Sequence, residues 1–545
     1  MRILLLSHSF NSLTQRLWVE LSRAGHDVCL EFDVNDSVTT EAVELARPDV
    51  IVAPFLKRAI PEAVWRRHKC LIAHPGPIGD RGPAALDWAI LNGMESWGVT
   101  VLQAEAEMDA GPVWAHRAFP MRAATKSSLY RNEVTEAAVD AVFEALRVAE
   151  PIRPERTWWN PAPTQAERAI DWSRDDTATV LRKLRASDGT PGVRDGELYL
   201  HDGHAAEGLS GQPGAWIARQ GGRLARATVD GAVWIGQLRP AEKGAVKLPA
   251  ATVLAESAAG LPEQPGHHDI WYDEKGGVGF LHFPFHNGAM STDQCLRLRD
   301  AFVAATRRPT KVVVLMGGAD FWSNGIHLGT IEAADSPADE SWRNINAMND
   351  LCEAIITCGS HLTIAAMQGN AGAGGVFMAL AADMVLARRG VVLNPHYKGM
   401  GNLYGSEYWT YLLPRRCGAD GARALTQARL PVGTAEALEL RLIDGAFGES
   451  VAEFRSGVEA LAHELATSPD LEDRLAAKRL TRMADEAEKP LAAYRAEELD
   501  RMTLNFYGFD PSYHVARWNF IAKVPKSRTP LYLAQHRSKS QPSRS

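Results

Sequence analysis

The chain has 545 residues, 46% of them apolar and 23% charged, with a formal net charge of −7; that describes several globular domains and argues against nucleic acid as a partner. No apolar run approaches the roughly 18 residues of a membrane span, and the start Ile3-Leu4-Leu5-Leu6 is too short for a signal peptide. Six cysteines without a CxxC pair speak against a metal site or disulfides, so a cytoplasmic protein with no metal and no membrane partner is expected.

Residues 2–6, 27–32, 49–53 and 70–73 read as short buried strands, separated by helical patterns at 13–24 and 38–46. Alternation of this kind predicts an α/β fold with a doubly wound parallel sheet and a site at the strand C-terminal ends. No GxGxxG follows the first strand, which disfavours dinucleotide binding. Ile72-Ala73-His74 runs into a Gly/Pro loop that includes Gly79-Asp80-Arg81-Gly82-Pro83, and Gly98-Val99-Thr100 and Asp109-Ala110-Gly111 follow. A histidine and an aspartate on two loops of one sheet edge suit a general base oriented by a carboxylate. Residue types alone favour the plainer reading, a turn-capping histidine and an Asp-x-Gly turn.

The motif context reverses that preference. This half resembles the 10-formyltetrahydrofolate transferase/hydrolase family, and the resemblance implies that His74 and Asp109, 35 residues apart, are the catalytic pair. It further implies a folate site that includes Arg81, Gly82, Gly98, Val99 and Thr100. The family's asparagine two residues before the histidine is Ile72 here, which implies a different acceptor geometry or a lower rate. The domain is expected over residues 1–160, ending in a Pro-rich joint at 151–163. Residues 168–172 and 181–192 resemble the start of the small OB-like domain that follows such formyltransferase domains. Strand-like pieces at 198–200, 215–218 and 232–235 fit a small β-barrel over 161–255, either positioning the acceptor or packing only.

After a Gly/Pro/His linker at 256–268, strands are expected at 276–282 and 311–316 around an amphipathic helix at 291–307. Two glycine-rich loops follow buried strand patterns: Trp322-Ser323-Asn324-Gly325-Ile326-His327-Leu328 and Gly369-Asn370-Ala371-Gly372-Ala373-Gly374-Gly375. Such loops can aim free backbone N–H groups at one point, as an oxyanion hole requires. The apolar stretch 376–386 reads as a buried helix whose dipole adds to that site. Residues 269–455 resemble the crotonase (enoyl-CoA hydratase/isomerase) superfamily, which implies a coenzyme A thioester held by the N–H groups of Ile326 and Gly374. Phe377 and Tyr397 stand where hydratases carry their two glutamates, so water addition is not expected; Tyr397 and Glu407 are the candidates for proton handling. Residues 456–545 are expected to be helical, closing over the CoA pocket or bridging the halves, with a disordered polar tail at 538–545.

End to end, the chain resembles the HypX/HoxX family of hydrogenase maturation proteins. The resemblance implies formyl transfer from 10-formyltetrahydrofolate to coenzyme A, then decarbonylation of formyl-CoA to CO for NiFe hydrogenase. It implies hydrogenase maturation proteins as partners besides the small-molecule substrates, and a cavity or swinging pantetheine arm between the sites. The alternatives are a formyltetrahydrofolate hydrolase with a vestigial CoA half, two independent enzymes on one chain, and a non-enzymatic maturation scaffold.

Overall fold

The computed structural model describes residues 1–538; the tail expected at 538–545 lies outside them except for Ser538. Two compact units are present, one formed by Met1–His267 together with the segment from Pro525 on, the other by His268–Val524. Among the described residues no helix is long and apolar enough to cross a membrane.

The first unit opens with a six-stranded sheet. Its strands run, edge to edge, Asp27–Phe32, Arg2–Ser7, Val50–Phe55, Cys70–His74, Ser96–Gln103 and Val113–Pro120. The first four are parallel, with the helices Ser12–Arg23 and Asp36–Ala46 in the connections. Ser96–Gln103 runs antiparallel to both of its neighbours, a departure from all-parallel winding. That reversal sets Thr100 opposite His74, placing the Gly98-Val99-Thr100 motif beside the histidine. A second sheet, ordered Trp216–Gln220, Arg223–Ala227, Ala232–Pro240, Leu198–Ala205 and Val193–Asp195, is antiparallel throughout. The helix Thr177–Ala186 packs on it through Val180, Leu181 and Leu184.

The stretch read as a linker is partly built into this unit. Ala255–Ala259 is helical, and Arg219 pairs with the stretch on both sides: its N–H donates to Pro262 O at 2.9 Å and its carbonyl accepts from Gln264 N at 3.0 Å. The C-terminal region likewise divides. The chain beyond Pro525 returns to the edge strand Asp27–Phe32, where Leu30 N donates to Leu533 O and Phe32 N donates to Thr529 Oγ1. Between them the fully buried Glu31 accepts from Thr529, His536 and Arg537. Burial alone would raise the Glu31 pKa; the hydrogen bonds from His536, Thr529 and Arg537 hold it below the ordinary glutamate value. A depressed carboxyl contributes stability above its unfolded pKa, and that contribution is lost as pH falls through the folded value. Glu31→Ala is expected to destabilise the first unit by about 3 kcal/mol, because it strands buried partners. Calorimetry reads the loss, and limited proteolysis should release the C-terminal segment earlier than in wild type.

The second unit is built on a sheet ordered Trp271–Lys275, Val278–Phe283, Val312–Gly317, Leu362–Met367, Met384–Arg388 and Gly445–Phe447, parallel after its first hairpin. A small sheet beside it holds Phe321–Ser323, Asn370–Gly372, Val392–Asn394 and Val432–Gly433. The helix Thr292–Ala305 carries a capping box from Ser291 and Gln294, which is why it starts where the serine stands. The helix expected over 376–386 is instead Gly374–Leu380 followed by the strand Met384–Arg388. An apolar run in a buried helix and one in a central parallel strand look alike in sequence. Asp383 separates the two, accepting from Thr363 N at 2.8 Å and Thr363 Oγ1 at 2.9 Å.

Candidate active sites

The first site lies at the end of the strand Cys70–His74. His74 is buried, with Nε2 2.8 Å from Asp80 Oδ2 and Nδ1 3.5 Å from Asp109 Oδ2. Asp80 is itself buried and accepts from Asn160 Nδ2 at 2.6 Å. Each ring nitrogen therefore faces a carboxylate, one fixed in the interior and the other on a loop. Gly76 permits the turn around them, since a Cβ there would lie 2.4 Å from both Asp80 Oδ2 and His74 Nε2. Asp109 is held at φ 53°, a left-handed conformation that costs a non-glycine residue about 1–3 kcal/mol and persists only where neighbours impose it. Gly82 N supplies that restraint, donating to Asp109 Oδ2 at 3.1 Å. Arg81 braces the same loop by donating through Nε to Met108 O at 2.9 Å and pairing with Glu107 at 3.0 Å. Thr100 Oγ1 donates to Gly76 O at 2.8 Å, and Gly98 abuts His116. Val99 is fully buried.

Of the residues expected to touch folate, Arg81, Gly82 and Thr100 are seen bracing the two loops that carry His74 and Asp109. Ile72 lies two residues before His74 on the same strand, so the two share a face and an apolar side chain stands where an amide was the family's choice. Asp80 and Asn160 were not foreseen. Asp80 stood inside the quoted loop and carried a signal; Asn160 lies 80 positions later, in the Pro-rich joint, and carried none.

The second site joins the two glycine loops. Met290 N donates to Gly325 O at 2.9 Å and His327 N donates to Met290 O at 3.1 Å, which turns the intervening Ile326 N–H away from Met290. Gly374 opens the helix Gly374–Leu380, where the first N–H groups have no intrahelical acceptor. The loops adjoin, for a Cβ on Gly325 would lie 3.4 Å from Gly374 N. His327 caps the helix Leu328–Glu332 by accepting from Thr330 N at 3.1 Å. Ala373, a non-glycine residue, takes φ 48°.

Above Gly374 sits the Glu407 carboxyl. A Cβ on Gly374 would lie 2.2 Å from Glu407 Oε1, so this glycine is required by the carboxyl as well as by the loop. Glu407 Oε2 bonds the Tyr397 hydroxyl, which also lies 2.8 Å from Ser406 O. Tyr397 can donate to the carbonyl while a protonated Glu407 donates to Tyr397, giving the chain of bonds a direction. Burial raises the Glu407 carboxyl to about 8, with repulsion from Glu498 adding to the rise and the Tyr397 bond opposing it. Burial also holds the Tyr397 hydroxyl well above the usual tyrosine range, with Glu407 adding to it. Phe377 is fully buried and stacks on Tyr397 with ring centroids 5.2 Å apart. The wall of the site at Phe377 is thus apolar and aromatic. Gly405 completes the fit, because a Cβ there would penetrate the Tyr397 ring at 2.0 Å.

Gly374→Ala is expected to displace the Glu407 carboxyl and destabilise the second unit by about 1–3 kcal/mol, as overpacking of a closed site does. A melting curve beside wild type checks it.

A formyl-transfer-type unit and a thioester-type unit on one chain define the class, and comparison with known proteins agrees. The formyl transferase family matches residues 31–146, the formyl transferase C-terminal domain matches 163–252, and the enoyl-CoA hydratase/isomerase family matches 279–505. Methionyl-tRNA formyltransferase of Granulibacter bethesdensis is 30% identical over 188 residues, 32% of this chain and 60% of that protein. Hydrogenase maturation factor HoxX of Bradyrhizobium diazoefficiens is 58% identical across 100% of this chain and 99% of its own length. HypX from Aquifex aeolicus, solved in complex with tetrahydrofolic acid, is 50% identical with a TM-score of 0.96, covering 98% of this chain and 99% of that one. The chain belongs to the HypX/HoxX family of hydrogenase maturation factors.

Proposed function

We propose that this protein moves the formyl group of 10-formyltetrahydrofolate to coenzyme A and decarbonylates the formyl-CoA to CO, for use in hydrogenase maturation. The observation that carries the reading is the Glu407 carboxyl, poised between Tyr397 and Gly374 in a site without the hydratase glutamates. The folate-bound relative supports the choice of donor. Folate and CoA are both substrates.

In the first step the CoA thiol gives its proton to the His74–Asp109 pair. Its sulfur attacks the formyl carbon, and the folate nitrogen leaves with a proton. Asp80 fixes the ring from its far side. In the second step the N–H groups of Ile326 and Gly374 hold the formyl oxygen. The formyl C–H bond is broken by proton loss, its electron pair becoming the carbon lone pair of CO, while the C–S pair stays on sulfur. Sulfur takes a proton, so the step is redox-neutral. A neutral carboxyl can serve both ends, one oxygen giving a proton and the other receiving one, and a carboxyl raised to about 8 is neutral at pH 7. Phe377 keeps water from diverting the thioester to formate.

The test uses folate carrying a carbon-13 formyl group, with and without CoA, and mass spectrometry of quenched reactions. Labelled formyl-CoA appearing before labelled CO supports the sequence of steps. Labelled formate formed at one rate with or without CoA contradicts it.

A further inference from the structure

Glu498 lies on the helix Leu491–Tyr507, is fully buried, and makes four contacts that serve one turn of the chain. Its Oε2 accepts from Tyr408 N at 3.0 Å and lies 3.3 Å from Ser406 Oγ; its Oε1 accepts from Thr410 N at 2.8 Å and Thr410 Oγ1 at 2.6 Å. These donors surround the start of the helix Trp409–Ala428, whose cap residue Tyr408 makes no side-chain capping bond of its own. Burial raises the Glu498 carboxyl to about 7, with its hydrogen bonds to the turn opposing the rise; as an acceptor at a helix N-terminus it satisfies otherwise unpaired N–H groups and, where ionised, complements the dipole. Here that acceptor comes from a different helix.

The turn needs such support. Glu407 and Tyr408 both have left-handed backbones, φ 60° and 58°, and neither is glycine. Asn349, on the helix Pro337–Ile356, grips the turn from another side, its Oδ1 accepting from Glu407 N at 2.7 Å and Ser406 Oγ at 2.9 Å. The left-handed backbone at Glu407 is what turns its carboxyl toward Tyr397 and over Gly374; released to a right-handed conformation, the side chain points elsewhere.

We propose that Glu498 is a positioning residue for the Tyr397–Glu407 pair, acting by capping the following helix and so holding the Ser406-Glu407-Tyr408 turn in its left-handed form. The proposal rests on the functional reading above, which gives Glu407 its role. It adds that a C-terminal helix completes the thioester site without touching substrate.

The second carboxyl also acts on the first through charge. The groups facing Glu407 are Tyr397, Glu498, and the thiols of Cys295 and Cys352 on the helices Thr292–Ala305 and Pro337–Ile356, with Arg495 and Glu353 beyond them. Of these, Glu498 is the one that raises the proton affinity of Glu407 by repulsion.

The test compares full-length Glu498→Ala and Glu498→Gln with wild type, using supplied formyl-CoA. Glu498→Ala should lower kcat at least tenfold with KM within twofold. Glu498→Gln keeps an acceptor for the cap but removes the charge, so it should retain more activity while the alkaline limb of its pH profile moves to lower pH. An unchanged kcat in Glu498→Ala, or a loss that merely follows the unfolded fraction in both variants, overturns the proposal. If wild type itself does not turn over formyl-CoA, the functional reading fails and the positioning claim is judged by infrared titration of the Glu407 carboxyl band, assigned by its loss in Glu407→Gln. A band displaced by loss of the Tyr397 bond in Glu498→Ala, with Glu498→Gln staying close to wild type, upholds the claim, and an unmoved band in Glu498→Ala rejects it.

Discussion

Glu407→Gln is expected to lower CO release from supplied formyl-CoA at least ~100-fold, since general acid–base groups contribute about 10²–10⁴ in rate. Glutamine fills the same space over Gly374 but cannot exchange a proton. Tyr397→Phe removes the hydroxyl that holds Oε2 and should cost a comparable factor, with the ring still stacked on Phe377. Neither change touches the first unit, so folate-to-CoA formyl transfer should persist and formyl-CoA should accumulate. The sign of the pH dependence follows from the raised carboxyl. Glu407 is protonated below about 8, so wild-type decarbonylation should hold through neutral pH and fall as pH rises through that value. An alkaline limb that survives in Glu407→Gln would assign it to another group.

His74→Ala should lower formyl transfer from 10-formyltetrahydrofolate at least ~100-fold on the same grounds, while CO release from supplied formyl-CoA continues. The informative companion is Asp80→Asn. It keeps the shape around His74 Nε2 but takes the charge from the interior side of the ring. If Asp80 orients the ring, this variant should lose transfer rate at unchanged folate KM. If Asp109 alone serves the histidine, Asp80→Asn should lose stability and little rate. Steady-state kinetics of formyl-CoA formation with a melting curve on each variant separates the two.

Much of this arrangement was legible in the sequence because motifs there coincide with backbone requirements. The two glycine loops are where chain and carboxyl approach too closely for any Cβ, as Gly375 against the Ser323 backbone and Gly374 against the Glu407 carboxyl show. His74 and Asp109 stand on strand-end loops that the alternation of elements predicts. What the sequence concealed was long-range. Asn160 reaches Asp80 across 80 positions, and the chain beyond Pro525 joins the N-terminal unit through Thr529, His536 and Arg537 at Glu31, contacts that local pattern does not announce. The reading of 376–386 as one helix failed because burial on all sides erases periodicity. Glu498 left a trace that went unread. The buried face of its helix runs through Leu491, Glu498, Met502 and Phe506, and a carboxylate at helical spacing among apolar residues needs a buried partner.

The most direct measurement is CO release, followed by the haemoglobin spectral shift, from purified protein given 10-formyltetrahydrofolate with and without CoA. The account predicts CO only when CoA is present, and its loss in both His74→Ala and Tyr397→Phe. Formate without CO, at one rate whether or not CoA is added, would contradict it and leave a folate hydrolase.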